Sequence, residues 1–97
     1  MTVTAKKEEN TCILTVEGRL DTLTAPEFDK AVEEHLDGCE KMVIDMAGVD
    51  YISSAGIRSV LKAHHTVGGD NFVLRSLSKN AREIFRMTGF DKALNIE

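Results

Sequence analysis

Residues 42–61 read MVIDMAGVDYISSAGIRSVL, and the change of hydrophobic period within this stretch decides the architecture. Met42, Val43 and Ile44 form an unbroken apolar run, the pattern of a strand covered on both faces. After Ser54 the period lengthens. Ile57, Val60, Leu61 and His64 fall at i, i+3, i+4 and i+7, and Ala63 and Val67 widen the stripe, so this segment is predicted as a helix laid on a core. Ser53 or Ser54 is then the natural N-cap. In open α/β sheets the crevice beyond the carboxyl ends of the strands is where ligands and partners are met, and the two serines stand at such an end.

Working outward, residues 2–5 and 11–17 alternate as two strands of a hairpin joined by the polar turn Lys6–Asn10, and Gly18 is expected to break the second. Thr24, Pro26 and Glu27 spell a capping box for a first helix, with Leu23 and Phe28 at the hydrophobic staple positions. Phe28, Val32 and Leu36 supply its buried stripe and Gly38 its C′ residue, while Asp29, Lys30, Glu33 and Glu34 face out. Beyond the central helix, Gly68 to Asn71 make a turn, Phe72 to Leu74 a strand, Ser78 a cap, and Ala81, Ile84 and Phe85 the stripe of a third helix closed by Gly89 and Phe90. A short strand over Ala93–Ile96 ends the chain. The order ββαβαβαβ predicts a single small α/β domain with a mixed sheet of about five strands, about three helices and right-handed crossovers.

Ninety-seven residues, 42% hydrophobic and 29% charged, suffice for one domain with one core. A net charge of -4 and a pI near 5.3 argue against direct nucleic-acid binding, which needs clustered basic residues. Lys6 and Lys7 are the only adjacent basic pair. No apolar run reaches the roughly 20 residues that span a bilayer, and the N-terminal segment has no apolar signal-peptide core, so a cytoplasmic chain without membrane insertion is expected. Cys12 alternates with Leu14 and Val16 on a core face and Cys39 follows a helix-ending glycine, which favours two free thiols.

Chemistry has little to work with. Neither a CxxC pair nor an HExxH motif occurs, so no metal or cofactor is expected. SSAG lacks the first glycine of a GxSxG nucleophile elbow. His64 lies ten residues along the same helix from Ser54, roughly 15 Å away at 1.5 Å per residue, too far to activate it. His35 is the only histidine on another element, and the expectation is a chain that is not an enzyme.

Three landmarks resemble the sulfate-transporter and anti-sigma-factor-antagonist domain, STAS, especially its free-standing bacterial anti-sigma factor antagonists. They are GRLDTLTAPEF at residues 18–28, VIDMAGVDYISSAGIRSVL at 43–61 and RMTGFDKALNI at 86–96. The resemblance implies a regulatory serine two residues before the motif glycine, here Ser54 before Gly56. The preceding position, usually aspartate in the family, is Ser53. It further implies a partner-binding surface of Asp21, Thr22, Ser53, Ser54, Ala55, Gly56, Ile57 and Arg58. The implied partners are an anti-sigma factor with serine kinase activity, bound by the unphosphorylated protein, and a serine phosphatase that reverses the modification; the free protein would be monomeric. A constitutive interaction or scaffold subunit, in stress signalling or lipid transport, is the alternative that Ser53 leaves open.

Each position also has a structural explanation. The serines can be caps, Asp21 can order its loop through an Asx hydrogen bond, and Gly56 can serve close helix packing. As a switch, a phosphoserine at a helix N-terminus meets free N–H groups and the positive end of the dipole, so the fold survives while roughly −1.5 to −2 of charge appears on the docking surface. Arg58, at i+4 from Ser54, is a candidate partner for that phosphate.

Overall fold

The computed structural model describes residues 1–97 as five strands and three α-helices in the expected order. β1 (Thr2–Glu8) and β2 (Thr11–Leu20) form an antiparallel hairpin, followed by α1 (Ala25–Glu34), β3 (Lys41–Ile52), α2 (Ser54–Val67), β4 (Phe72–Arg75), α3 (Lys79–Thr88) and β5 (Asn95–Ile96). The sheet order is β1-β2-β3-β4-β5, with every pair after the first parallel. Short 3₁₀ turns at Gly69–Asn71 and Phe90–Lys92 precede β4 and β5. No helix is long and apolar enough to cross a membrane.

Because each parallel step moves one strand in the same direction, right-handed crossovers put α1, α2 and α3 on one face of the sheet. The core agrees with that geometry. Leu14 and Val16 of β2, Met42, Ile44 and Met46 of β3 and Phe72 and Leu74 of β4 join Phe28 and Val32 of α1, Ile57 and Val60 of α2 and Phe85 of α3 in one cluster. Val43 and Val73 are buried but stand outside it, and Ile13 pairs with Val43 and Val43 with Val73 in a row on the opposite face. The apolar run at 42–44 therefore belongs to a strand with helices on one side only, and the expectation of two covered faces is corrected.

Several boundaries also move. The hairpin turn is only Glu9–Asn10, so Lys6, Lys7 and Glu8 are strand residues, and Gly18 does not end β2, which runs to Leu20. Gly18 sits at φ +106 where the β2–β3 register slips. β3 runs eight residues past Ile44. Thr15 pairs with Asp45, Glu17 with Gly48 and Arg19 with Tyr51, so β3 carries one extra residue at each of two bulges. Its core positions become Met42, Ile44, Met46, Val49 and Ile52. The step of two changes to a step of three, which disguises a strand as a loop.

α1 ends at Glu34 with His35 as C-cap, leaving Leu36 half-buried beyond the helix and Gly38 in the following turn instead of at C′. The last strand is two residues rather than four. Ser78 caps α3 by accepting from the Ala81 N–H, and Gly89 closes it in the left-handed region, both as expected. Cys12 and Cys39 are free thiols.

Candidate functional site

The site forms where the C-terminal ends of β2 and β3 meet the first turn of α2. The Ser53 N–H donates to the Leu20 carbonyl at 2.9 Å, the last sheet-like bond between these segments, and its own carbonyl accepts from the Ile57 N–H at 2.9 Å, the first helical one. The extended backbone of Ser53 (φ −96, ψ 175) turns its hydroxyl oxygen onto the Gly56 N–H at 3.3 Å. Ser53 is thus the N-cap. Ser54 is the first helical residue, exposed, and its hydroxyl is not needed for the cap.

Gly56 explains how tightly the parts meet. A Cβ at this position would lie 2.6 Å from the Leu20 carbonyl oxygen and 2.9 Å from side-chain carbons of Leu20 and Ile52. Only glycine lets the first turn of α2 rest on the end of β2. Ile57 is buried behind it, Ala55 is half-buried, and Arg58 points to solvent.

Asp21 opens the β2–α1 loop. Its Oδ1 accepts from the backbone N–H groups of Leu23 at 3.0 Å and Thr24 at 3.2 Å, while the Asp21 N–H donates to Thr24 Oγ1 at 2.9 Å. Its carbonyl accepts from the Ala25 N–H at 2.8 Å. This is a reciprocal capping box at Asp21–Thr24, three residues ahead of the expected one. Thr24, the predicted cap, makes no side-chain cap bond to α1 and donates its hydroxyl to the Arg19 carbonyl at 2.7 Å. The predicted staple is likewise absent: Leu23 is 86% exposed while Phe28 is fully buried. Burial raises the Asp21 pKa, but the N–H groups of Thr24 and Leu23, the Thr24 hydroxyl and Arg19 more than offset this and hold the carboxyl below the ordinary aspartate value. Thr22 is exposed at the tip of the same loop.

Sequence reasoning missed the part played by four further residues, Arg19, Leu23, Tyr51 and Met87. The Arg19 guanidinium lies 4.2 Å above the Tyr51 ring and 3.5 Å from Asp21 Oδ2, tying β2, β3 and the loop together. The exposed large hydrophobic side chains are Leu23, Tyr51 (45%) and Met87 (75%). Leu23 and Tyr51 flank the strand ends, and Met87 precedes Thr88, which lines a recess with Ser54. That recess, about 230 Å³, is walled by Ser54, Ile57, Arg58 and Leu61 of α2 and by Thr88 and Phe90. A second, about 350 Å³, lies between Val49–Ile52 and the Ser78–Ile84 segment. Ile84, which lines the second, and Thr88, which lines the first, are one helical turn apart on α3. The signal for this surface was apolar side chains, Leu23, Tyr51 and Met87, at places where the fold offers them no core.

Electrostatically, α2 has no acidic residue in its first turn, so the positive end of its dipole faces Ser54 uncompensated. His35 Nδ1 is hydrogen-bonded to the Ala31 carbonyl at 2.8 Å. A carbonyl can only accept, so Nδ1 carries the proton. His64 packs edge-on against Phe72, with ring centroids 6.0 Å apart. No group of three or more His, Cys, Asp or Glu side chains is arranged to hold a metal ion.

The STAS domain family model matches residues 2–97. Among curated proteins, the chain is 33% identical over 94 residues to the "Putative anti-sigma factor antagonist BtrV" of Bordetella bronchiseptica, covering 93% of this chain and 80% of that one. Among solved structures, an anti-sigma factor antagonist from Mycobacterium paratuberculosis superposes with a TM-score of 0.89 at 23% identity, over 98% of this chain and 83% of that one. The Bacillus cell fate determinant SpoIIAA in its phosphorylated form gives 0.74 at 13%, over 99% and 91%. The last two likenesses speak to the fold, whereas the family model and BtrV speak to descent: the chain belongs to the STAS domain family.

Proposed function

We propose that this protein is an anti-sigma factor antagonist that works by partner switching, with Ser54 as the phosphorylated residue. The observation that carries the reading is the division of labour between the two serines. Ser53 holds the helix cap, which leaves the Ser54 hydroxyl exposed and free of structural duty beside a largely apolar recess. Support also comes from the names of its relatives, BtrV as an anti-sigma factor antagonist and SpoIIAA solved in a phosphorylated form.

In this reading the unphosphorylated surface of Asp21, Thr22, Ser53, Ser54, Ala55, Gly56, Ile57 and Arg58 docks on an anti-sigma factor and so frees a sigma factor. Leu23, Tyr51 and Met87 supply apolar contacts around it. The anti-sigma factor is itself the serine kinase. Transfer of a phosphoryl group to Ser54 Oγ leaves the cap and fold intact, since the phosphate sits at the N-terminus of α2. It places a dianion in the middle of an interface that had buried an uncharged hydroxyl, and desolvating that charge costs the complex its affinity. A serine phosphatase restores the bound state. ATP and metal belong to those partners, and this chain contributes the hydroxyl and its geometry, with no catalytic group of its own.

The test is affinity capture with wild-type, Ser54→Ala and Ser54→Asp baits, with intact-mass analysis of each bait. A kinase-like partner held by wild type and Ser54→Ala should be lost with Ser54→Asp, with affinity lower by at least about tenfold, or ~1.4 kcal/mol. Equal retention by all three baits would instead indicate a constitutive interaction subunit.

A further inference from the structure

Beside Ser54 the edge of the core lies open. The recess of about 230 Å³ between α2 and the end of α3 is walled by buried Ile57 and by Leu61 and Phe90. Leu61 and Phe90 pack against the core cluster yet are only half-buried. Large apolar side chains with one face on a core and the other on a recess are placed to receive a further apolar side chain from outside.

The charge around the recess has one sign. The chain as a whole carries -4, with 16 acidic residues, yet α2 bears Arg58 and Lys62 and no aspartate or glutamate. No carboxylate lines the recess. Lys62 lines a different groove, between α2 and α1, together with Asp29 and Glu33. Arg58 lines the recess itself and joins none of the five ion pairs of the chain. A free guanidinium on an apolar rim, next to the positive end of the α2 dipole, is complementary to an anion that arrives with an apolar neighbour.

Taking the Ser54 surface as the docking surface proposed above, we infer that this recess receives an aliphatic side chain of the anti-sigma factor while Arg58 holds a carboxylate adjacent to it in that partner. Arg58 is then a specificity-determining residue of the complex, and the recognised element is an acidic and aliphatic pair. The same placement gives the phosphate a defined target. Ser54 and Arg58 are four residues apart on one helix and line one recess. A phosphate on Ser54 takes Arg58 for itself and stands as a dianion against the partner's carboxylate, so modification removes a contact and adds a repulsion.

The test titrates the isotope-labelled full chain with the acetylated dipeptide amide leucyl-glutamate and with its neutral counterpart leucyl-glutamine, and reads amide chemical shifts by NMR. Saturable shifts are expected in the first two turns of α2 and at Thr88 and Phe90, with the glutamate probe binding about two- to fivefold tighter. Arg58→Gln should bring the two probes level, and Lys62→Gln should leave the preference unchanged. Arg58 is exposed and holds no ion pair, so its variants should keep the wild-type urea midpoint. Equal affinity of wild type for the two probes, shifts confined to other surfaces, no saturable shift, or a preference that survives Arg58→Gln would overturn the proposal. Ser54→Asp should also erase the preference; if it does not, competition with the phosphate is overturned while the recess stands. With the partner held by the Ser54→Ala bait, Arg58→Glu on that background should lower affinity by about tenfold or more, and Lys62→Glu by less than about twofold. The probes require no partner, so a failure of the recess is read separately from baits that prove insensitive to Ser54→Asp, the outcome that would remove the switch.

Discussion

At the scale of single residues, the site is built from pairs that look redundant in the sequence and are not. Ser53 and Ser54 are chemically identical neighbours, yet one is fixed by the Gly56 N–H and the other is free. The sequence narrowed the cap to these two, and the β-region backbone of Ser53 chose between them. Asp21 shows the converse. It was legible as a loop residue with an Asx hydrogen bond, but its full role as the first half of a capping box was hidden because Thr24 carried the more familiar signature with Pro26 and Glu27. An aspartate whose oxygen can take two N–H groups outcompetes a threonine for the cap, and Thr24 then answers from the third position. Because the folded carboxyl titrates below its unfolded value, the stability it adds is complete above the ordinary aspartate range near pH 4 and is lost as pH falls through the folded value. Asp21→Asn keeps an acceptor oxygen but removes the titration. Thermal unfolding between about pH 5 and pH 2 should show a shallower acid loss for Asp21→Asn than for wild type. Superimposable profiles would mean that Asp21 does not contribute to the acid limb.

At the scale of elements, β3 and α2 meet at a corner whose tolerance is set by Gly56. Replacing it with alanine brings a methyl group within 2.6 Å of the Leu20 carbonyl oxygen, and backbone must move to admit it. The intrinsic helix gain from glycine to alanine, about 1 kcal/mol, works against that strain. Overpacking of this kind typically costs about 1–3 kcal/mol, and Gly56→Ala should come out net destabilised in urea unfolding. It should also bind the partner more weakly, because the same shift moves the first turn of α2, and Ser54 with it, relative to the end of β2. A variant as stable as wild type would show that the corner yields freely. The helices were the legible part of this region, since Ile57, Val60 and Ala63 keep one period throughout. β3 was legible only to Ile44. Its bulges each insert a residue between core positions, and Asp45 marks the first by accepting the Ala47 N–H at 3.1 Å. A strand with core residues at 42, 44, 46, 49 and 52 has no single period to detect. That same lengthening carries Tyr51 to the site rim, which is why Tyr51 and its partner Arg19 escaped notice.

At the scale of the whole molecule, the sheet is wound in one direction, so its two faces do unequal work. Successive helices all land on the side of Leu14, Ile44 and Leu74, and the other side is crossed by the row Lys6, Ile13, Val43, Val73 and Asn95. Beside that row, Arg75 and Asp45 pair at 3.2 Å across β4 and β3, and Lys6 pairs with Glu8 on β1. Parallel sheets are normally covered on both faces. Here a face of β-branched residues bordered by long charged side chains takes the place of a second helical layer, which Val43 and Val73 tolerate by staying nearly enclosed among their neighbours. Two adjacent residues of β2 distinguish the faces. Leu14 is fully buried among the helices, and Leu14→Ala should cost about 2–5 kcal/mol through lost burial and an unfilled cavity. Ile13 is half-buried on the helix-free side, so Ile13→Ala removes little more than a strand preference, about 1 kcal/mol. Urea midpoints at matched m-values read both numbers directly. Equal losses would mean that the second face is part of the stabilising core. A threefold disparity would mean that one layer of helices carries the fold, and with it the corner that presents Ser54.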